Sequence, residues 1–205
     1  MDLGFDLKEW ENTEAVEFGE RETLTLGGHE VEILDARIHT SEQSGNKSLK
    51  VSVDIAGNDE QKGFFKRQYE ANTLSEAKWP RGGVRYLSLK KENLAYLKGF
   101  VTTLENSNKG FKFDTSKGWD QVKGLKCAAQ FGLEEYEAQD GSVRARTVLK
   151  NFRSLDKLNE ITVPQVVLIN GEKVAIEEYN EKYKGKGRNT ITSSVSAVEV
   201  SDLPF

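Results

Sequence analysis

The sequence predicts a mainly β protein: an antiparallel barrel with one main α-helix, an acidic N-terminal extension and a flexible C-terminal tail. Three observations predict it. Period-two alternation recurs in separate short stretches, most clearly in "LKVSVDIAG". One stretch, "NLAYLKGFVTTLENS", carries the three-to-four spacing of an amphipathic helix instead. Glycine-containing polar turns divide the alternating stretches as hairpin connections do.

The elements follow in order. Residues 1–22 are acidic, and their rings Phe5, Trp10 and Phe18 suit an arm that packs rather than a purely solvating tail. In "GGHEVEILDARIH", Val31 and Ile33 share one parity, and Ala36 and Ile38 the other. The switch at Leu34–Asp35 predicts a β-bulge or a sharp coil. After the turn "SEQSGNKS", Leu49, Val51, Val53 and Ile55 face one side of a second strand, and Lys50, Ser52 and Asp54 the other. "GFFKRQYEAN" reads as a third strand completing a meander, followed by a loop around Pro80 and Gly82-Gly83.

Leu94, Leu97, Val101 and Leu104, with Phe100 beside them, then mark the helix. Ser88 is its expected N-cap, Gly99 its weak residue and Asn106 to Gly110 its stop. In the next strand Leu125, Cys127, Ala129, Phe131 and Leu133 share a face. Asp140-Gly141 signals a hairpin. The return strand places Val143, Ala145, Thr147 and Leu149 on one side and Arg144, Arg146, Lys150 and Phe152 on the other. A short hairpin is expected about Asn170-Gly171. Residues 23–183 thus form the predicted domain, and 184–205, rich in Gly, Lys, Ser and Thr, a linker and tip. Three strands, a helix and two further strands is the order of an OB-fold, which carries its helix between strands three and four. A β-sandwich with one helix is the alternative.

Charge permits an anionic partner. The 205 residues sum to −4, but residues 1–32 hold ten acids against Lys8 and Arg21, a balance of −8 that leaves +4 for the rest. An apolar run of about 18 residues is absent, and the acidic start is unlike a signal peptide, so the expected location is the cytoplasm of a bacterial host cell.

Catalytic signals are weak, and the expectation is a protein that is not an enzyme and uses no cofactor or metal. The two histidines, His29 and His39, and the single Cys127 fall short of the three or four ligands of a zinc site. Cys127 lies on the apolar parity of its strand. "GKGRNT" does not lead from a strand into a helix, as a phosphate loop must. Glu134 and Glu135 point to opposite faces of a strand.

Binding signals are stronger. Single-stranded nucleic acid is held by cations on phosphates and rings on bases. "FFKRQY" offers Phe65, Lys66, Arg67 and Tyr69. "KWPRGGVRY" offers Trp79, Arg81, Arg85 and Tyr86. "VRARTVLKNF" offers Arg144, Arg146, Lys150 and Phe152. Each has a plainer reading. Phe65 and Tyr69 suit a core, Trp79 suits a pinned loop, and Arg144 and Arg146 suit a surface facing Glu134 and Tyr136 across the hairpin.

The final residues, "SDLPF", resemble the C-terminal tip of bacterial and phage single-stranded DNA-binding proteins, with Asp202, Leu203, Pro204 and Phe205 matching. The body is similar in flavour to phage-encoded members over about two-thirds of the chain. The resemblance implies an OB-fold domain that binds single-stranded DNA (ssDNA) in phage or prophage replication or recombination. It also implies a tip that recruits replication, recombination or repair proteins. A terminal Phe offers its ring to an apolar pocket and its carboxylate to a basic rim, and Pro204 limits the entropy lost on binding. Only Glu199 and Asp202 stand where the family carries an acidic run. The rival expectations are a recombination annealing or mediator protein, and an interaction scaffold that does not bind DNA. The ssDNA-binding reading is compatible with a monomer or a homo-oligomer, and neither length nor charge decides between them.

Overall fold

In a computed structural model of the chain, residues 22–73 and 76–183 are described. They form a mainly β structure: seven strands in one mostly antiparallel sheet, with three short helices. Strand β1 spans Gly27–Thr40 and β2 Lys47–Ile55. Helix α1 (Phe64–Glu70) precedes β3 (Val84–Ser88), and α2 (Leu94–Ser107) precedes β4 (Lys126–Glu137). Then come β5 (Val143–Arg153), β6 (Val166–Val167), β7 (Lys173–Val174) and α3 (Ile176–Tyr183). Among the described residues no helix is long and apolar enough to cross a membrane.

One strand organises the sheet. The first half of β1, Gly27–Glu32, pairs with β4, while Val31–Thr40 pairs with β2. The register shifts between Ile33 and Asp35, at the parity switch read in the sequence, so the expected bulge is there. Ile33 uses both its backbone groups at this point. Its N–H donates to the Leu125 carbonyl at 2.8 Å, and its carbonyl accepts from Gly124 N–H at 2.8 Å. The core lies beneath. Val31, Ile33, Leu49, Val51, Val53, Cys127, Ala129 and Phe131 are all buried, as their alternation predicts. The Cys127 thiol is pushed well up by that burial.

The expected third strand is a correction. Residues 64–70 are helical, and the third strand is Val84–Ser88, within the segment read as a loop. Phe64 and Phe65 are adjacent and both buried, as a short helix lying on the core places them. Gly63 turns the chain with φ 76°, and the buried Asp54 carboxylate receives the helix. Asp54 Oδ1 accepts from the N–H groups of Ile55 (2.9 Å), Phe65 (2.9 Å) and Lys66 (3.4 Å). The Phe65 and Lys66 groups are donors that the first turn leaves unpaired.

Helix α2 stands where the spacing puts it, with different ends and a narrower buried face. Phe100 and Leu104 are buried, while Leu94 is exposed. Asn93, not Ser88, is the N-cap; Ser88 Oγ instead accepts from Lys90 N–H (3.3 Å) and Asn93 Nδ2 (3.1 Å) in the turn before it. Asn108 ends the helix and ties it to β4. Its Nδ2 donates to the carbonyls of Leu104 and Lys126, both at 2.8 Å, and its Oδ1 accepts from Lys126 N–H at 3.0 Å.

The Asp140-Gly141 and Asn170-Gly171 turns both form, with φ 75° at Gly141 and φ 86° at Gly171. Beyond the second, β6, β7 and α3 build a smaller core of Val166, Leu168, Val174 and Tyr179 against Leu133.

Because Asp54 is buried and satisfies three backbone donors, Asp54→Ala leaves them unpaired. The expected cost is about 1–3 kcal/mol by urea unfolding, with Asp54→Asn, which keeps an acceptor, retaining most of it.

Candidate nucleic-acid interface

The structure divides the expected binding residues. Phe65 is 2 % exposed, so it belongs to the core and has no ring face left for a base. It does not form a strand row with Arg67 and Tyr69, because the segment is helical. Lys66 faces Glu70 at 3.8 Å. Arg67 grips Glu22 with Nη2 2.7 Å from Oε1, and also donates to the Lys62 carbonyl. Tyr69 is exposed and lies 5.5 Å from the Trp79 ring. Trp79 is part-buried and pinned by a hydrogen bond from its Nε1 to the Val53 carbonyl at 3.0 Å. Gly82 and Gly83 are there for close approach. A Cβ at Gly83 would lie 2.8 Å from Phe65 and 2.9 Å from Trp79 Nε1. One at Gly82 would lie 3.0 Å from the Thr147 carbonyl of β5.

The β5 cations are paired with acids. Register sets Glu134 opposite Arg146 and Tyr136 opposite Arg144. Glu134 accepts from Arg146 Nη2 at 2.8 Å and from Lys150 Nζ at 3.1 Å, and the Arg146 guanidinium lies 4.7 Å from the Tyr136 ring centre. Arg144 meets Asp140 at 2.8 Å. Phe152 is a further correction. The β4–β5 register slips between Phe131↔Leu149 and Gln130↔Asn151, which makes Lys150 the extra residue of a bulge. Past the bulge the parity reverses. Phe152 sits opposite Ala129 and packs on Phe100 at 4.7 Å, away from the arginine face.

A second row escaped the sequence reading. Register places Arg37 of β1 opposite Lys50 of β2, and Lys50 opposite Tyr86 of β3. Leu49 and Val51 beside Lys50 are fully buried, so Lys50 points away from the core and the three side chains share the outer sheet face. Tyr86 is 47 % exposed, and its ring is 5.3 Å from that of His39. The local signal was the parity of Lys50 and Arg37 opposite their apolar neighbours. The pairing that aligns them was not readable.

Like charges crowd on this face and beside it. Partial burial, then Arg37, hold the Lys50 ammonium below its ordinary value; Asp35 opposes them and Lys78 adds to them. Burial, then Arg146, lower Arg81, with Glu134 and Tyr86 opposing. Arg85 is lowered by burial against the pull of Glu134. Tyr86 therefore links two cationic groups: Arg37, Lys50 and Lys78 on one side, Arg81, Arg85, Arg146 and Lys150 around Glu134 on the other. Such an arrangement has the chemistry to hold an anion and to stack a ring. Among the described residues no group of three or more His, Cys, Asp or Glu is placed to hold a metal ion. The tip, Asp202 to Phe205, lies outside the described residues.

No family model and no curated relative matches the sequence.

Glu134 gives this face a pH dependence. Burial pushes its carboxyl up, but hydrogen bonds from Arg146 and Lys150, and their charges, outweigh that and leave it below the ordinary 4.5. A depressed carboxyl contributes stability that is present above the unfolded value and lost as pH falls through the folded one. Glu134→Gln is expected to cost about 1–3 kcal/mol near pH 7. In chemical unfolding from neutral pH downward, its difference from wild type should shrink once the pH passes below the carboxylate range.

Proposed function

We propose that this chain is a non-catalytic, sequence-tolerant ssDNA-binding protein, with an OB-type domain at about residues 23–183. One observation carries the reading: the Arg37–Lys50–Tyr86 row on the outer sheet face, cation beside cation beside exposed ring. Phosphates meet Arg37, Lys50, Lys78 and Arg81, and bases stack on Tyr86 and on the free side of the Tyr69–Trp79 pair. Crowded cations are costly to hold together, and a bound polyanion removes that cost while releasing its own counterions.

The OB assignment is supported by the strand order. β1 is shared between β2 and β4, the helix α2 falls between β3 and β4, and β3 approaches β5 on the far side of the sheet. The tip's resemblance supports a phage or prophage replication or recombination role, in which Asp202, Leu203, Pro204 and Phe205 recruit a partner protein.

Titration of the full chain with oligo-dT at low salt tests this through tryptophan fluorescence. Quenching is expected, with affinity falling as salt rises. Lys50→Glu and Tyr86→Ala each weaken binding by about tenfold, the scale of one phosphate contact or one stacked base. The Lys50 variant also lowers the salt slope, whereas the Tyr86 variant leaves it unchanged. No quenching and no change in oligomer mobility with protein in excess would sink the reading.

A further inference from the structure

A groove of about 740 Å³ runs between β3, α2 and the end of β5. Its lining holds four cationic residues, Arg85, Lys150, Arg153 and Lys157, and no acidic one, in a chain whose net charge is −4. Lys150 is already paired with Glu134, while Arg153 and Lys157 are exposed. Tyr96 of α2, 74 % exposed, is also part of the lining, with Phe152 of β5.

Gly99 is the informative residue. It sits inside α2, where glycine costs about 1 kcal/mol relative to alanine. Close packing does not require it, because a Cβ there would meet nothing within 4 Å. Its φ is not in the left-handed region, so backbone conformation does not require it either. What the missing side chain does is leave the groove open, one turn from Tyr96 on the same helix face. A cavity of this size is in the range of small-ligand sites, about 300–1,000 Å³.

We propose that the groove is a second segment of the ssDNA path. It takes at least one nucleotide of a bound strand, the base against Tyr96 and the phosphate against Arg153 and Lys157. This rests on the ssDNA-binding reading and extends it. Tyr86 belongs to both surfaces, so the strand leaves the outer sheet face at β3 and continues between α2 and β5. A short oligomer is held by the sheet face alone, and a longer one fills the groove as well.

The test uses the full chain and labelled dT oligomers of about six and about twenty nucleotides, bracketing the about 4–16 that one such domain covers. Gly99→Leu narrows the groove from a position whose Cβ meets nothing within 4 Å, and Tyr96→Ala removes an exposed ring, so both variants should unfold as cooperatively as wild type. Each is expected to weaken the long oligomer about tenfold and to leave the short one within about twofold. Excess dTMP should not displace the long oligomer. Wild-type affinity of both variants for both lengths, or an equal loss at both lengths, overturns the groove path while the ssDNA-binding reading stands. Displacement by dTMP assigns the groove to free nucleotides and also overturns it. If wild type binds neither oligomer, the functional reading falls and the groove path with it.

Discussion

The structure depends on one strand serving two neighbours. β1 hands its pairing from β4 to β2 within a few residues, and the bulge at Leu34 is what lets it. A regular strand would keep one parity inward along its whole length. Here Val31 and Ile33 point into the core on one parity, and Ala36 does so on the other. The switch turns Arg37 outward beside Lys50, so the bulge both bends the sheet and sets the chemistry of its outer face. The second bulge, at Lys150, does the same for β5. It turns Phe152 inward against Phe100 and keeps Arg146 and Lys150 on one acid.

Charge is distributed by this geometry rather than by composition. The cations most visible in the sequence, Arg67, Arg144, Arg146 and Lys150, meet Glu22, Asp140 and Glu134. Exposed pairs such as Arg67–Glu22 contribute little stability, but they reduce the field available to a ligand. Less conspicuous cations, Arg37, Lys50 and Lys78, crowd one another around the outer face, where Asp35 meets Arg37 at 3.3 Å. On the proposed reading they are the ones that meet phosphate. Glu134 then has a structural role, holding Arg146 and Lys150 in place beside Arg81 and Arg85.

What was legible in the sequence was local. The parity switch at Leu34–Asp35, the strand Lys47–Ile55, the main helix and both glycine turns are properties of short windows, and each is where its pattern put it. "FFKRQY" misled because its alternation of ring, cation and ring suits a strand equally well. What favours a helix is tertiary: the distant Asp54 carboxylate accepts the N–H groups at its start, and both adjacent rings are buried. β3 was hidden because five residues next to Gly82-Gly83 carry too little periodicity to stand out from a loop. The candidate site was least legible. Arg37, Lys50 and Tyr86 are far apart in sequence and meet only through the registers of two strand pairs. Of the rings singled out in the sequence, Tyr86 and Tyr69 are exposed while Phe65 is in the core, a division set by tertiary packing.

The central claim is that ssDNA lies across the outer face of β1, β2 and β3, and NMR shift mapping with a dT oligomer tests it most directly. The account predicts the largest perturbations at Arg37, Lys50 and Tyr86, with Trp79 following. Perturbations confined to β6, β7 and α3, or none at saturating oligomer, would contradict it.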